Sequence, residues 1–273
     1  DYISEIEIVK GTSGNDSLYG DSNANSLFGN AGDDVIEGRE GADYLEGNAG
    51  ADIINGGADK DTIYGGDGND QLTGGVGNDT LYGEAGLDIL IGSEGDDTFS
   101  GGADSDTINY SAIIDSQYYE DIDLTSGTSV IKNASNTPVK TDTIVSIENA
   151  IGTSGADTFR GNSLQNSLNG GTGTDTVLYT FAALTAGITA NLNAGTVEKT
   201  VSSGTITDTI TSIENIIGSH FDDTFITKLT SVNIIDDNWK ITFWDFKIDS
   251  LKINYDIFDE KYYDNIEVLK PYL

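Results

Sequence analysis

From Gly11 onward, glycine returns at every ninth position: Gly11, Gly20, Gly29, Gly38, Gly47, Gly56, Gly65, Gly74, Gly83, Gly92 and Gly101. These are eleven units in register, without an insertion, ending at Asn109. The sixth place of each unit reads Asp16, Asn25, Asp34, Asp43, Asp52, Asp61, Asp70, Asp79, Asp88, Asp97 and Asp106. The eighth place is apolar every time: Leu18, Leu27, Ile36, Leu45, Ile54, Ile63, Leu72, Leu81, Leu90, Phe99 and Ile108. The fourth place is glycine except at Asn23, Asp59 and Asp104, residue types that tolerate a left-handed backbone. A fixed short period of this kind constrains the fold before any other property does.

Each unit reads as a six-residue turn followed by a three-residue strand. Glycine at places one and four is expected to supply positive φ in the turn. One unit cannot bury its single apolar residue, so units must stack. Two units make one coil of 18 residues, with a turn and a strand on each side. Stacked coils lie one strand spacing apart, about 4.8 Å, which gives a rod section about 26 Å long. The sixth-place carboxylates then form two columns at i, i+18. Asp70 stacks between Asp52 and Asp88, and Asp79 between Asp61 and Asp97. Such columns repel unless a cation lies between adjacent turns. Ca²⁺ takes six to eight oxygens, which two carboxylates and several turn carbonyls supply. Nine i, i+18 pairs exist in the block, one of them containing Asn25, so about eight Ca²⁺ sites or more are expected.

The pattern G-G-x-G-x-D-x-U-x over residues 11–109 resembles the RTX (repeats-in-toxin) calcium-binding nonapeptide family. The resemblance implies an all-β chain, a right-handed parallel β-roll solenoid with bound Ca²⁺. It also implies export by a bacterial type I secretion system, with folding on Ca²⁺ outside the cell.

Charge fits that reading. The chain has 13 Lys and Arg against 46 Asp and Glu, a net charge of −33. Nucleic-acid binding needs a basic footprint, and an anionic membrane attracts one. There are no cysteines, hence no disulfide framework and no thiolate metal site. The absence of methionine points to a fragment or a processed product. No apolar run is long enough for a transmembrane helix.

The period restarts at Gly152, Gly161 and Gly170, with Asp157, Asn166 and Asp175 at place six. A lone unit at Gly218–Ile226 carries Asp223, with Phe221 at place four. Asp157 and Asp175 form the best further Ca²⁺ pair, and Asp223 is a weaker ligand. A longer duplication runs through this half: DTIVSIENAIG (142–152) matches DTITSIENIIG (208–218). Ile147 and Ile213 read as core, and Glu148 and Glu214 as cap or turn contacts, with extra ligation the second reading. The alternating segment 185–195 reads as strand. The chain thus divides into a lead-in strand (1–10), the roll (11–109), an inserted β-segment (110–151), three repeats (152–178) and a second inserted β-segment with the lone unit (179–226). In these inserted segments the coils are expected to widen. Residues 227–273 lose glycine and gather aromatics, as a cap over the open end of a solenoid would. The resemblance adds an uncleaved secretion signal there.

Nothing in the chain reads as a catalytic motif. His220 is the one histidine, and there is no H-E-x-x-H, G-x-S-x-G or Walker sequence. The leading reading is a non-enzymatic, secreted module of a bacterial surface protein, an S-layer or adhesin. Ca²⁺, the type I machinery and cell-surface or self-association partners go with it. The alternative is the C-terminal tail of a secreted protease, lipase or epimerase, or of a pore-forming toxin. Outward residues are the Thr62, Thr80, Thr98 column on one wall and Val35, Ile53, Ile89 and Ile91 on the other. The second set is either covered by an inserted segment or free for self-association.

Overall fold

The structure is a computed structural model that describes residues 7–113 and 118–226, with the short strands Asn233–Ile235, Thr242–Phe243 and Glu267–Val268 beyond them. No helix occurs among the described residues. The expected cap over 227–273 falls, apart from those three strands, outside the described residues.

Two long sheets, of 13 and 12 strands, form the walls of a solenoid. Successive nonapeptides alternate between them. Ser26–Ala31, Tyr44–Ala49, Thr62–Asp67, Thr80–Ala85 and Thr98–Ala103 run parallel in one wall. Val35–Glu40, Ile53–Ala58, Gln71–Val76, Ile89–Ile91 and Thr107–Asn109 run parallel in the other. The register is i, i+18 throughout: Leu27 opposes Leu45, Leu45 opposes Ile63, and Ile63 opposes Leu81. Strand side chains alternate in direction, so place eight points inward from both walls. These residues are fully buried from Leu27 to Ile108. Each contributes roughly 1.5–3 kcal/mol by leaving water.

Within residues 11–109 most strands span six residues, not three. Places seven to nine run on into places one to three of the next unit, and the ladder continues past the bend, with Asn30 opposite Asn48 and Arg39 opposite Gly57. The bend comes from a left-handed residue at place two, seen at Asn30 (φ 80°), Arg39 (φ 83°), Gly66 (φ 119°) and Glu84 (φ 79°). Place four is left-handed as expected at Gly68, Gly77, Asp59 and Asp104, but Asn23 is not. Place one, expected to need positive φ, does not adopt it. Its glycine has another cause, given with the site below.

The inserted segments stay within the walls. Tyr118–Asp123, Thr128–Asn133 and Pro138–Val145 form an antiparallel meander. Its last strand pairs in parallel with Thr98–Ala103, and its first with Thr158–Arg160. The second insertion does the same in the opposite wall. There, Thr189–Asn191, Thr196–Val201 and Gly204–Thr211 lie between Ser167–Asn169 and Thr224–Ile226. Alternating burial along Pro138–Val145 explains why the segment stays in the sheet: one face completes the core. Ile147 is buried and Ile213 partly so. The stack continues to Asn233–Ile235, which pairs with Asn215–Ile217.

On the outside, Thr62, Thr80 and Thr98 do align, and Thr143 extends their column. Beside them Phe28, Tyr44, Tyr64 and Tyr82 form a ring ladder with centroids 5.7, 5.5 and 4.7 Å apart. Ile53 and Ile89 on the other wall remain exposed, so neither insertion covers them.

Candidate calcium-binding columns

Sixth-place residues stack in two columns held by the backbone. In one, the amide N–H of Asp34 donates to Asp52 Oδ1, Asp52 to Asp70, Asp70 to Asp88 and Asp88 to Asp106, all at 2.7–2.9 Å. In the other, Asp43 donates to Asp61, Asp61 to Asp79 and Asp79 to Asp97, at 2.8–2.9 Å. Each carboxylate therefore commits Oδ1 to the coil before it.

The second oxygen is left over. Oδ2 of Asp34, Asp43, Asp52, Asp61, Asp70, Asp79, Asp88, Asp106 and Asp175 is buried and accepts no hydrogen bond, and that of Asp97 has only the Lys140 ammonium, at 3.4 Å. These side chains are at most 3% exposed. An isolated buried carboxylate oxygen is costly, and a native structure rarely tolerates one. A row of them aimed the same way is a set of donors for a cation.

Place-one glycine makes the cradle. A Cβ on Gly65 would stand 3.0 Å from Asp70 Cγ and 2.8 Å from Gly83 O. Gly47 faces Asp52 and Gly65 O in the same way. Glycine is required at this place because the carboxylate and the next coil's carbonyl close onto the backbone, not because of φ. Among the described residues no three His, Cys, Asp or Glu side chains converge on one point. That follows from the stack, which brings carboxylates together only along a column, so backbone carbonyls must complete any shell.

Three predicted ligands sit in turns of a different kind. Asp16 accepts from Thr12 N (2.5 Å) and Thr12 Oγ1 (2.9 Å). Asp157 accepts from Thr153 N (2.7 Å) and Thr153 Oγ1 (2.8 Å). Asp223 accepts from Ser219 N (2.6 Å) and Ser219 Oγ (2.7 Å). In these turns place two carries a hydroxyl and is not left-handed, and the carboxylate satisfies its own turn. Asn25 and Asn166 are met likewise by the N–H groups of Asp21 and Asn162. The two kinds of turn are told apart by place two: a left-handed residue leaves Oδ2 open, and a capping side chain or amide occupies the oxygen; the Asp97 turn, with Ser93 at place two, follows neither pattern.

Glu148 and Glu214 end the columns. Glu148 Oε2 accepts from Asp106 N at 3.0 Å, and Glu214 Oε2 from Asp175 N at 2.8 Å. Each supplies the oxygen that the next coil's aspartate supplies elsewhere. Sequence reasoning passed over Tyr110, Glu120, Lys140, Tyr179 and Lys199, all buried beside the columns. The available signal was a basic residue inside an alternating, otherwise apolar-facing segment. His220 is exposed.

Burial raises the carboxyl pKa values, against the lowering effect of the backbone N–H. Asp61 and Asp70 rise to about 7, helped by the neighbouring column carboxylates. Asp175 rises to about 7, and Asp52 and Asp106 to about 6. A group raised in the folded state makes folding favourable below its unfolded pKa, and that contribution is lost as pH rises through the folded value. In Ca²⁺-free buffer the roll is therefore expected to keep more of its β-sheet signal, at every temperature of a melt, near about pH 4–5 than near about pH 8. An unchanged or reversed order in thermal melts would contradict this.

The comparisons agree with the geometry. The model of the RTX calcium-binding nonapeptide repeat matches four times, at residues 10–45, 37–72, 73–108 and 151–179. No curated protein matches the chain. The matched segments are the ones whose coils stack the open carboxylates. These coils belong to the RTX calcium-binding nonapeptide repeat family, and the chain is a calcium-binding repeat module on a parallel β-solenoid.

Proposed function

We propose that the chain is the Ca²⁺-triggered folding module of a type I secreted bacterial surface protein, with a structural or adhesive role such as that of an S-layer. The observation that carries the Ca²⁺ part is the row of buried, unpartnered Oδ2 atoms over place-one glycine cradles. Asp34, Asp52, Asp70, Asp88 and Asp106 would hold ions in one column, with Glu148 closing it. Asp43, Asp61, Asp79 and Asp97 would hold them in the other. Asp175 would hold one with Asp157 and Glu214 as its stacked neighbours. Asp16 and Asp223 would contribute least, since their oxygens are already satisfied.

The bound ion supplies positive charge that the chain lacks. The residues supply the rest: hydrogen-bonded stacking at fixed spacing, exclusion of water and a glycine backbone that admits the ion closely. The net charge of −33 keeps the chain extended and soluble until cations arrive. Extracellular Ca²⁺ is millimolar and cytosolic Ca²⁺ is far lower, so folding outside the cell follows from weak, cooperative sites. The exposed Ile53 and Ile89 leave an apolar strip on the wall for self-association.

Two tests separate the layers of this reading. Electron microscopy of the purified chain in millimolar Ca²⁺ should show ordered arrays; persistent monomers would remove the S-layer role and leave the Ca²⁺ role intact. Substituting Asp79→Asn removes charge from the slots on both sides of one column, and should cost about two bound Ca²⁺ per chain. The column of Asp70 and Asp88 should retain its ions. Unchanged metal content by elemental analysis would contradict the assignment.

A further inference from the structure

Two lysines stand beside place-six residues, both where a meander interrupts the repeat. Lys140 Nζ lies 3.0 Å from Asp142 Oδ2 and 3.4 Å from Asp97 Oδ2, and donates to Ser93 O. Lys199 Nζ lies 2.7 Å from Asp208 Oδ2, and 2.9 Å from both Asn166 Oδ1 and Asn162 O. The two environments correspond in their polar partners. Ser93 and Asn162 are each place two of their turn, and Asp97 and Asn166 are each place six. Asp142 and Asp208 take the position of the next coil's carboxylate, accepting from Asp97 N at 2.9 Å and from Asn166 N at 2.8 Å. Tyr110 and Tyr179 donate their hydroxyls to Oδ2 of Asp142 and Asp208, the oxygens that face the lysines, at 2.8 and 3.1 Å.

Two stacked side-chain oxygens are what the open turns offer a hard cation, and here a carbonyl of the same turn joins them. At Lys199 the ammonium also reaches the glycine cradle, whereas at Gly92, the place-one glycine of the Lys140 site, an added Cβ would meet the ring of Tyr110. A Cβ on Gly161 would meet Asn166 Oδ1, as one on Gly65 meets Asp70, and would lie 3.7 Å from Lys199 Nζ. Neither Ser93 nor Asn162 has the left-handed φ found at place two of the open turns such as that of Asp70. At the first site two carboxylates, Asp97 and Asp142, face one ammonium. At the second site asparagine replaces aspartate, leaving one carboxylate, Asp208, opposite one ammonium.

The duplication does not explain the correspondence. Lys140 lies on Pro138–Val145, two residues before Asp142 on the same strand. Lys199 lies on Thr196–Val201, a different strand of its meander, and pairs with Ile206. In the 66-residue offset that aligns Asp142 with Asp208, Lys140 aligns with Ile206 and not with Lys199. The same atom arrives at the same place by two routes, which points to a demand of the site. Lys199 is fully buried and Lys140 nearly so. A buried ammonium persists only with partners of this kind.

We propose that Lys140 and Lys199 are tethered cations that occupy the Ca²⁺ position in the two coils interrupted by meanders, so that these coils close without a metal ion. The chain carries positive charge with it where the i, i+18 repeat fails and a stacked aspartate pair from consecutive repeats is not available. The proposal rests on the reading that the open turns take Ca²⁺.

The test is the Ca²⁺ content of the full chain, measured by elemental analysis after equilibration in millimolar Ca²⁺. The variants are Lys140→Met and the double variant Asn166→Asp/Lys199→Met. Each leaves two stacked carboxylates without their ammonium, and each should bind one more Ca²⁺ per chain than the parent. Parent protein with no bound Ca²⁺ would remove the underlying reading. Parent protein with Ca²⁺ but variants with no gain would overturn the tethered-cation role alone. So would variants that fail to reach the parent's circular dichroism spectrum in Ca²⁺, because a solution ion was to replace the one removed.

Discussion

Stripping Ca²⁺ with a chelator is expected to abolish most of the β-sheet circular dichroism signal, and millimolar Ca²⁺ to restore it with a steep, cooperative onset. The physical cause is the set of buried Oδ2 atoms without a hydrogen bond, of which only that of Asp97 has an ammonium beside it. Leaving one ionised group buried and uncompensated costs several kcal/mol. A domain's whole stability is only about 5–15 kcal/mol. Without cations, a roll with many such groups near neutral pH cannot stay folded by its core alone. That core is narrow: one inward residue per nonapeptide, in contact with its ladder neighbours and the facing wall. Cooperativity follows from the geometry, since each carboxylate belongs to the slots above and below it, and filling one slot organises the next. Mass action strengthens the effect, because ions bind the folded chain and not the unfolded one. A spectrum unchanged after rigorous Ca²⁺ removal would defeat the claim that metal drives folding.

Gly65→Ala is expected to be nearly as damaging, and Gly14→Ala nearly silent. Gly65 has no left-handed φ, so alanine meets no backbone penalty there. The cost is contact: its Cβ would stand 2.8 Å from Gly83 O and 3.0 Å from Asp70 Cγ. Both neighbours are fixed, the carbonyl by the parallel ladder and the carboxylate by the amide of Asp52 at 2.8 Å. Either the coil separates from its neighbour or the carboxylate turns out of the column. Both routes also spoil the cation slot, and the loss should reach about 3 kcal/mol or more, in the range of severe core substitutions. At Gly14, also in a repeat turn, the nearest atom to an added Cβ is Thr12 Oγ1 at 4.0 Å, and φ is not left-handed. Its effect should stay within about 0.5 kcal/mol, as for an ordinary surface change. Urea unfolding in saturating Ca²⁺ reads both. Equal effects at the two positions would show that the cradle is not what selects glycine at place one.

The amino-acid sequence alone determined the repeat length, the alternation between two walls, the inward place-eight residues and the i, i+18 columns of Asp70 and Asp79. A nine-residue period leaves little freedom: one apolar residue per unit can be buried only by stacking, and stacking brings place six over place six. The same period identified the coils that the RTX repeat model later matched. Tertiary structure decided three further things. Place one is glycine because the next coil's carbonyl closes on it, a contact 18 residues away that no local φ argument contains. Place two, not place one, carries the bend, and its residue type separates open turns such as that of Asp70 from self-satisfied ones such as that of Asp157. Lys140 and Lys199 reach Asp97 and Asn166, more than 30 residues earlier in the chain, only through antiparallel pairing. Periodicity reports what recurs along the chain. It carries no record of where an aperiodic strand folds back, and in this solenoid that fold decides where the chain supplies its own cation.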